Sequence, residues 1–186
     1  MKLHQFFAAA AVILSLVSGS AFAQSDKAAK QAEVRKATQT ALDKFYKADP
    51  SLKAAVAKAQ GYAVFTTAGI SFLVGGAGGK GMAHNNKTKK DTFMSMAQAS
   101  AGVQLGLSEA ETLIVFNTAE GLETFINKGW VAGLGGSVQA GAKGDSAGQA
   151  QGQATGAALT YTLTKNGLKV GIAAEGSKFW KDEDLN

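Results

Sequence analysis

Hydrophobic positions change their spacing at residue 61. Before it, Val34, Ala37, Ala41 and Phe45 recur at three- and four-residue intervals with Leu42 beside them, which is the stripe of a helix with one apolar face. A second helix is punctuated at both ends. Asp49 stands at the N-cap position, Pro50 at the first helical position and Gly61 just past the end, with Leu52, Ala55, Val56 and Ala59 as the apolar face. All but one of the 23 glycines lie from Gly61 onward, and short strands replace helices there.

Residues 62–66 and 70–74 are short apolar runs. Val103, Leu105 and Leu107 alternate with Gln104, Gly106 and Ser108, as in a half-buried strand. Leu113, Ile114, Val115 and Phe116 are apolar without alternation, which predicts a central strand buried on both faces. One helix interrupts the series: Asn117 can cap it, Glu120 occupies the capping-box position, Leu122, Phe125 and Ile126 form its core face and Gly129 ends it. Asn166-Gly167 suits a two-residue type I′ turn. Paired residue numbers then sum to 333, setting Leu163 against Val170, Tyr161 against Ile172 and Leu159 against Ala174. Residues 141–156 are polar and low in complexity and read as a mobile loop. No internal repeat stands out.

The first 23 residues have the form of a secretory leader. Lys2 supplies the positive start, residues 6–17 the apolar run, and Ala21-Phe22-Ala23 a small-x-small cleavage site before Gln24. Cleavage there lowers the formal charge from +5 to +4 by removing Lys2 and leaves a periplasmic or secreted chain. Residues 24–60 carry eight Lys or Arg against four acids, whereas residues 61–186 balance at ten against ten. The basic excess therefore sits in the helical arm. It suits an anionic surface, and it equally suits a solvated face that keeps the protein soluble. Arg35 and Lys44 flank the apolar stripe, where they can snorkel from a membrane interface or cover the rim of a helix docked on a sheet.

Material for catalysis is scarce. Cysteine is absent, and after the leader the one histidine is His84, expected at an exposed loop edge. Gly76, Gly78 and Gly81 fit G-x-G-x-x-G, but a turn-like Met82-Ala83-His84-Asn85-Asn86-Lys87 follows instead of the helix a dinucleotide site needs. Glycines there suit close strand packing. Gly144-Asp145-Ser146-Ala147-Gly148 fits G-x-S-x-G without a buried strand before it or a histidine nearby. Asn86-Lys87-Thr88 is a formal glycosylation acceptor, Glu175 can pair with a lysine across strands, and no two carboxylates stand out as an acid/base couple. Neither enzymatic activity nor a metal or cofactor is expected.

Six segments in order carry a resemblance. Residues 61–65 (GYAVF), Val74-Gly75-Gly76 with Gly79 and Gly81, residues 101–106 (AGVQLG), residues 114–117 (IVFN), Gly136-Ser137-Val138 with Ala140-Gly141, and Tyr161 with Gly167-Leu168 and Glu175-Gly176 together resemble the SYLF domain, also called the Ysc84 actin-binding family, over roughly residues 47–178. The resemblance implies a lipid-binding module: eukaryotic members bind phosphoinositides, partly through an amphipathic N-terminal helix, and some bind actin. For a secreted chain the lipid half is what carries over.

The reading is thus an α+β fold, a bent antiparallel sheet or partial β-barrel with two N-terminal helices and one further helix packed on it. Its parts are a leader (1–23), a helical arm (24–60), a glycine-rich β core (61–180) and a tail (181–186). The expected function is non-enzymatic, peripheral binding of anionic phospholipid at a periplasmic membrane face. Arg35, Lys36, Lys44 and Lys47 are the candidate headgroup contacts, with Phe45 and Tyr46 as candidate apolar anchors. The alternative is a structural or protein-interaction module of the envelope. Actin enters only by family analogy, no nucleic acid is expected, and an integral barrel is disfavoured because its strands need about 9 to 11 alternating residues.

Overall fold

The computed structural model describes residues 18–66, 78–98, 111–132, 138–140, 151–152, 158–164, 167–171 and 177–186. Two helices lead, α1 (Ser18–Ala48) and α2 (Ser51–Lys58). Strands β1 (Gly61–Thr66), β2 (Gly78–Asn85), β3 (Asp91–Gln98) and β4 (Glu111–Phe116) follow, then α3 (Ala119–Lys128). The remaining strands are β5 (Trp130–Ala132), β6 (Val138–Ala140), β7 (Gln151–Gly152), β8 (Ala158–Thr164), β9 (Gly167–Gly171) and β10 (Ser177–Lys181). All described pairings are antiparallel, in the order β7-β6-β5-β10-β3-β2-β1-β4-β8-β9.

Alternation along the strands divides the apolar side chains between two faces. Ala63, Phe65, Ala83, Met94, Met96, Ile114, Phe116, Trp130, Ala158 and Phe179 join Leu122 and Phe125 of α3 in one cluster. Val64, Leu113, Val115 and Tyr161 point the other way and meet Ala41, Leu42 and Phe45 of α1 and Leu52 and Val56 of α2. β4 is buried at every position, as expected of a central strand between two covered faces. The sheet is strongly curled around α3. In a flat sheet the five steps from β4 to β5 would separate them by roughly 24 Å, yet the rings of Phe116 and Trp130 lie 5.4 Å apart. Phe125 fills the resulting half-barrel, with ring contacts to Phe65, Phe116, Trp130 and Phe179.

Glycine makes the strand packing possible at Gly81. A Cβ there would stand 2.3 Å from Phe65 Cδ1 and 2.4 Å from the Val64 carbonyl oxygen. The segment that fits G-x-G-x-x-G enters β2 at Gly78 and opens no helix.

Several expectations shift. The cap of α3 is Thr118, whose side chain accepts from Gly121 N, not Asn117; Glu120 is then one residue short of the capping-box position. At α2, Asp49 Oδ1 accepts from Ser51 N at 2.9 Å, so Asp49 supplies the capping oxygen although the helix is assigned from Ser51. Ala55 is exposed while Leu52 and Val56 are buried. The β8–β9 register pairs Leu163 with Leu168 and Tyr161 with Val170, two residues from the expected pairing. A two-residue slip returns every side chain to its own face, so hydrophobic alternation cannot distinguish the two registers. Gly167 opens β9 with φ of 106°. Within the expected mobile loop, Gln151 and Gly152 pair with β6. Expected strands over 70–74 and 103–107, and the rest of 141–156, lie outside the described residues.

Candidate functional site

α1 crosses the sheet with Val34, Thr38, Ala41, Leu42 and Phe45 buried. At 100° per residue, Lys36 stands nine residues and half a rotation from Phe45, and Lys47 falls within 20° of Lys36, about 16 Å along the axis. These two lysines are exposed on the ridge facing away from the sheet, and neither has an ion pair among the described residues. Asp43 shares that side, where its Oδ1 accepts from Gln39 Nε2 at 3.1 Å.

Arg35 and Lys44 lie on opposite flanks and are committed to the fold. Arg35 Nε is 3.3 Å from Asp91 Oδ2 of β3, and its guanidinium lies 4.8 Å from the centre of the Phe93 ring. Lys44 Nζ donates to Glu111 Oε1 at 2.6 Å, and the Glu111 side chain is only 7% exposed. The four expected headgroup contacts thus separate into two outward lysines and two fold-bound cations. Phe45 requires a correction: it is fully buried in the core beneath α1 and has no surface with which to anchor. Tyr46 is half-buried against the same cluster. Burial, then the neighbouring Tyr62 and Asp43, push its phenol up to about 12.

A polar cluster that sequence reasoning missed surrounds His84. This residue sits in β2, not at an exposed loop edge; its Nδ1 is 2.7 Å from Asp91 Oδ1, its cross-strand partner. Tyr62 packs on the imidazole with ring centroids 5.3 Å apart. Burial, then the Asp91 charge, raises the Tyr62 pKa. Asp91 consequently ties α1, β2 and β3 together through Arg35 and His84. The signal available in sequence was the turn between His84 and Asp91, but Arg35 is 56 residues away from Asp91.

A second cluster lies on the same side of the sheet. Lys80 Nζ donates to Ser95 Oγ at 2.9 Å and pairs with Asp182 Oδ2, which also accepts from Ser95 Oγ at 2.8 Å. Burial opposes ionisation of Asp182, but the hydrogen bonds from Lys80 and Ser95, the Lys80 charge and the Leu185 amide together lower its pKa. Lys80, Ser95 and Asp182 thereby form one hydrogen-bonded group that ties β2 and β3 to the segment after β10. Asn86 of the formal glycosylation motif donates from Nδ2 to the carbonyls of Val56 and Ala59 at 2.7 and 2.9 Å. A glycan would break both bonds. Residues 144–148 and Glu175 lie outside the described residues. Among the described residues no helix is long and apolar enough to cross a membrane.

The sequence model of the Ysc84 family, described as "Las17-binding protein actin regulator", matches residues 97–186. Beta cell expansion factor A from Aeromonas veronii is 32% identical over 161 residues, 86% of this chain and 60% of that protein. The chain thus spans about 60% of the length of this relative. The similarity reaches beyond the family match into the N-terminal half, because 161 aligned residues exceed the span of 97–186. Residues 97–186 thus match the Ysc84 (SYLF) family, a family of binding modules, as the ordered motifs of the sequence implied.

Proposed function

We propose that this protein is a non-enzymatic, peripheral binder of anionic lipid at a periplasmic membrane face, reached after removal of residues 1–23. One observation carries the reading: Lys36 and Lys47 project from the sheet-distal ridge of α1, three turns apart, with no acid partner among the described residues. A cation near an anionic leaflet contributes about 1 kcal/mol. Lys53 and Lys58 of α2 are also exposed and extend the basic surface beyond α1. The fold supplies rigidity, because α1 is pinned by Phe45, Arg35 and Lys44 while its outer ridge remains in solvent. Sedimentation with phosphatidylglycerol vesicles, against phosphatidylcholine vesicles of equal size, tests this. Retention on the anionic vesicles alone, lost in high salt, supports it; equal recovery from both, or from neither, contradicts it.

The alternative is an envelope protein-interaction module. It draws support from Leu159 of β8 and Val170 of β9, which are 47% and 64% exposed, β9 being a terminal strand of the sheet among the described residues. A partner strand can add to such an edge. The family's description as a Las17-binding actin regulator belongs to this class of function, with actin itself a partner by analogy only.

A further inference from the structure

α1 is docked by two separate sets of contacts. From Thr38 onward it is held by the large cluster that includes Ala41, Leu42 and Phe45. Before Thr38 none of residues 24–33 is buried, and Val34 belongs to a cluster of its own with Phe93 and Leu185. Arg35 ties the end of this first half to Asp91 and the Phe93 ring of β3, and nearer its start two side chains reach the same short segment: Lys27 Nζ donates to the Asn186 main-chain oxygen at 2.6 Å and Gln31 Nε2 to the Leu185 carbonyl at 2.7 Å. Residues 182–186 are therefore not a loose tail. They fold back over β3, where Asp182 N donates to Phe93 O at 3.0 Å, Asn186 Nδ2 to Phe93 O at 2.8 Å, and Phe93 N to Asn186 Oδ1 at 3.0 Å. Lys80 and Ser95 anchor the segment through Asp182, and Leu185 N closes it on Asp182 Oδ1 at 3.2 Å.

We propose that residues 182–186 form a releasable strap that determines whether the first half of α1 is docked on the sheet or free of it. The small Val34-Phe93-Leu185 cluster opens without disturbing either main core, as expected of a local unit with few buried contacts. Freed of the strap, the first half of α1 keeps only its continuity with the docked second half, and an undocked helix end of this kind frays, so its amides exchange faster. The strap stands on these contacts alone; its consequence for membranes, that release presents Val34 and the basic first half of α1 to the bilayer, rests on the lipid reading above.

Hydrogen exchange in the full chain tests the strap. In Leu185→Ala and Asp182→Asn, amides of residues 24–34 are expected to exchange at least tenfold faster while those of residues 38–48 keep their rate. A uniform change along α1, or none, overturns the proposal. Should both variants fail to fold, Val34→Cys with Leu185→Cys replaces them, in a chain that has no other cysteine. Exchange over residues 24–34 should then be at least tenfold slower in the oxidised than in the reduced form, and equal rates overturn the strap. Phosphatidylglycerol sedimentation of the same two forms separates the readings. Stronger binding of the reduced form supports the membrane consequence, whereas absence of binding by both contradicts the lipid reading and leaves the exchange result to decide the strap.

Discussion

The Phe116 ring meets Trp130 at 5.4 Å although four strands lie between β4 and β5 in the sheet. This contact requires the sheet to curl, and α3 supplies what it curls around. Phe125, fully buried, touches both rings. Replacing Phe125 with Ala removes the centre of this aromatic group and should destabilise the protein by about 3–5 kcal/mol. Urea unfolding measures it, and a loss under about 1 kcal/mol would show that the half-barrel does not depend on that ring.

Two lysines three residues apart on α1 should behave differently. Lys44→Gln leaves the buried Glu111 carboxylate without its cation. Because Lys44 is half-exposed, the loss should fall between that of surface and buried pairs, about 1–2 kcal/mol. Lys47→Gln should stay within about 0.5 kcal/mol of the unmodified protein. Paired urea titrations decide it. Substituting all four candidate cations together would mix folding with binding, so Lys36 and Lys47 are the pair that isolates the surface.

Backbone crowding and backbone conformation separate two glycines. At Gly81 an added methyl meets the Val64 carbonyl and the Phe65 ring, and Gly81→Ala should cost about 2–3 kcal/mol through displaced packing. At Gly167 nothing lies within 4 Å of the added atom, but φ is 106°. Gly167→Ala should cost about 1–2 kcal/mol from conformation alone. Thermal melts rank the two; the reverse order would mean that the β1–β2 approach is looser than described.

Two of the shifted groups, Tyr46 and Asp182, act at opposite ends of the pH range. Tyr46 is pushed up to about 12, so the folded state favours the neutral phenol. Its contribution is complete below the ordinary tyrosine value near 10 and is lost as pH rises toward about 12. Asp182 is lowered, so its contribution is complete above the ordinary carboxylate value and is lost as pH falls through the lowered one. Melts of Tyr46→Phe should fall less steeply on the alkaline side and those of Asp182→Asn less steeply on the acid side. Unchanged slopes would contradict both assignments.

Local chemistry was legible where it repeats at short range. The α1 stripe of Val34, Ala41 and Phe45, the doubly buried β4 and the Leu122-Phe125 face of α3 all follow from spacing, and each is found buried. Ambiguity entered where two adjacent choices satisfy the same rule. Asn117 and Thr118 can both cap a helix, and the phase set by Leu122 and Phe125 selects Thr118. The β8–β9 pairing at 333 and the observed Leu163–Leu168 pairing present the same faces, so alternation could not choose between them. Long-range charge pairing was not legible at all. Lys44 and Glu111 are 67 positions apart and Lys80 and Asp182 are 102, and nothing periodic connects them. That is why Arg35 and Lys44 resembled surface cations in sequence and prove to be tied to the sheet.

The central claim, that the outer ridge of α1 meets an anionic membrane, is tested most directly by sedimenting Lys36→Gln/Lys47→Gln with phosphatidylglycerol vesicles beside the unmodified protein. Two near-surface cations at about 1 kcal/mol each correspond to roughly a 30-fold loss of affinity. The double variant should melt like the unmodified protein and bind about 30-fold more weakly, with a shallower salt dependence. Equal sedimentation of the two proteins at low and moderate salt would contradict the account and favour the envelope-interaction reading.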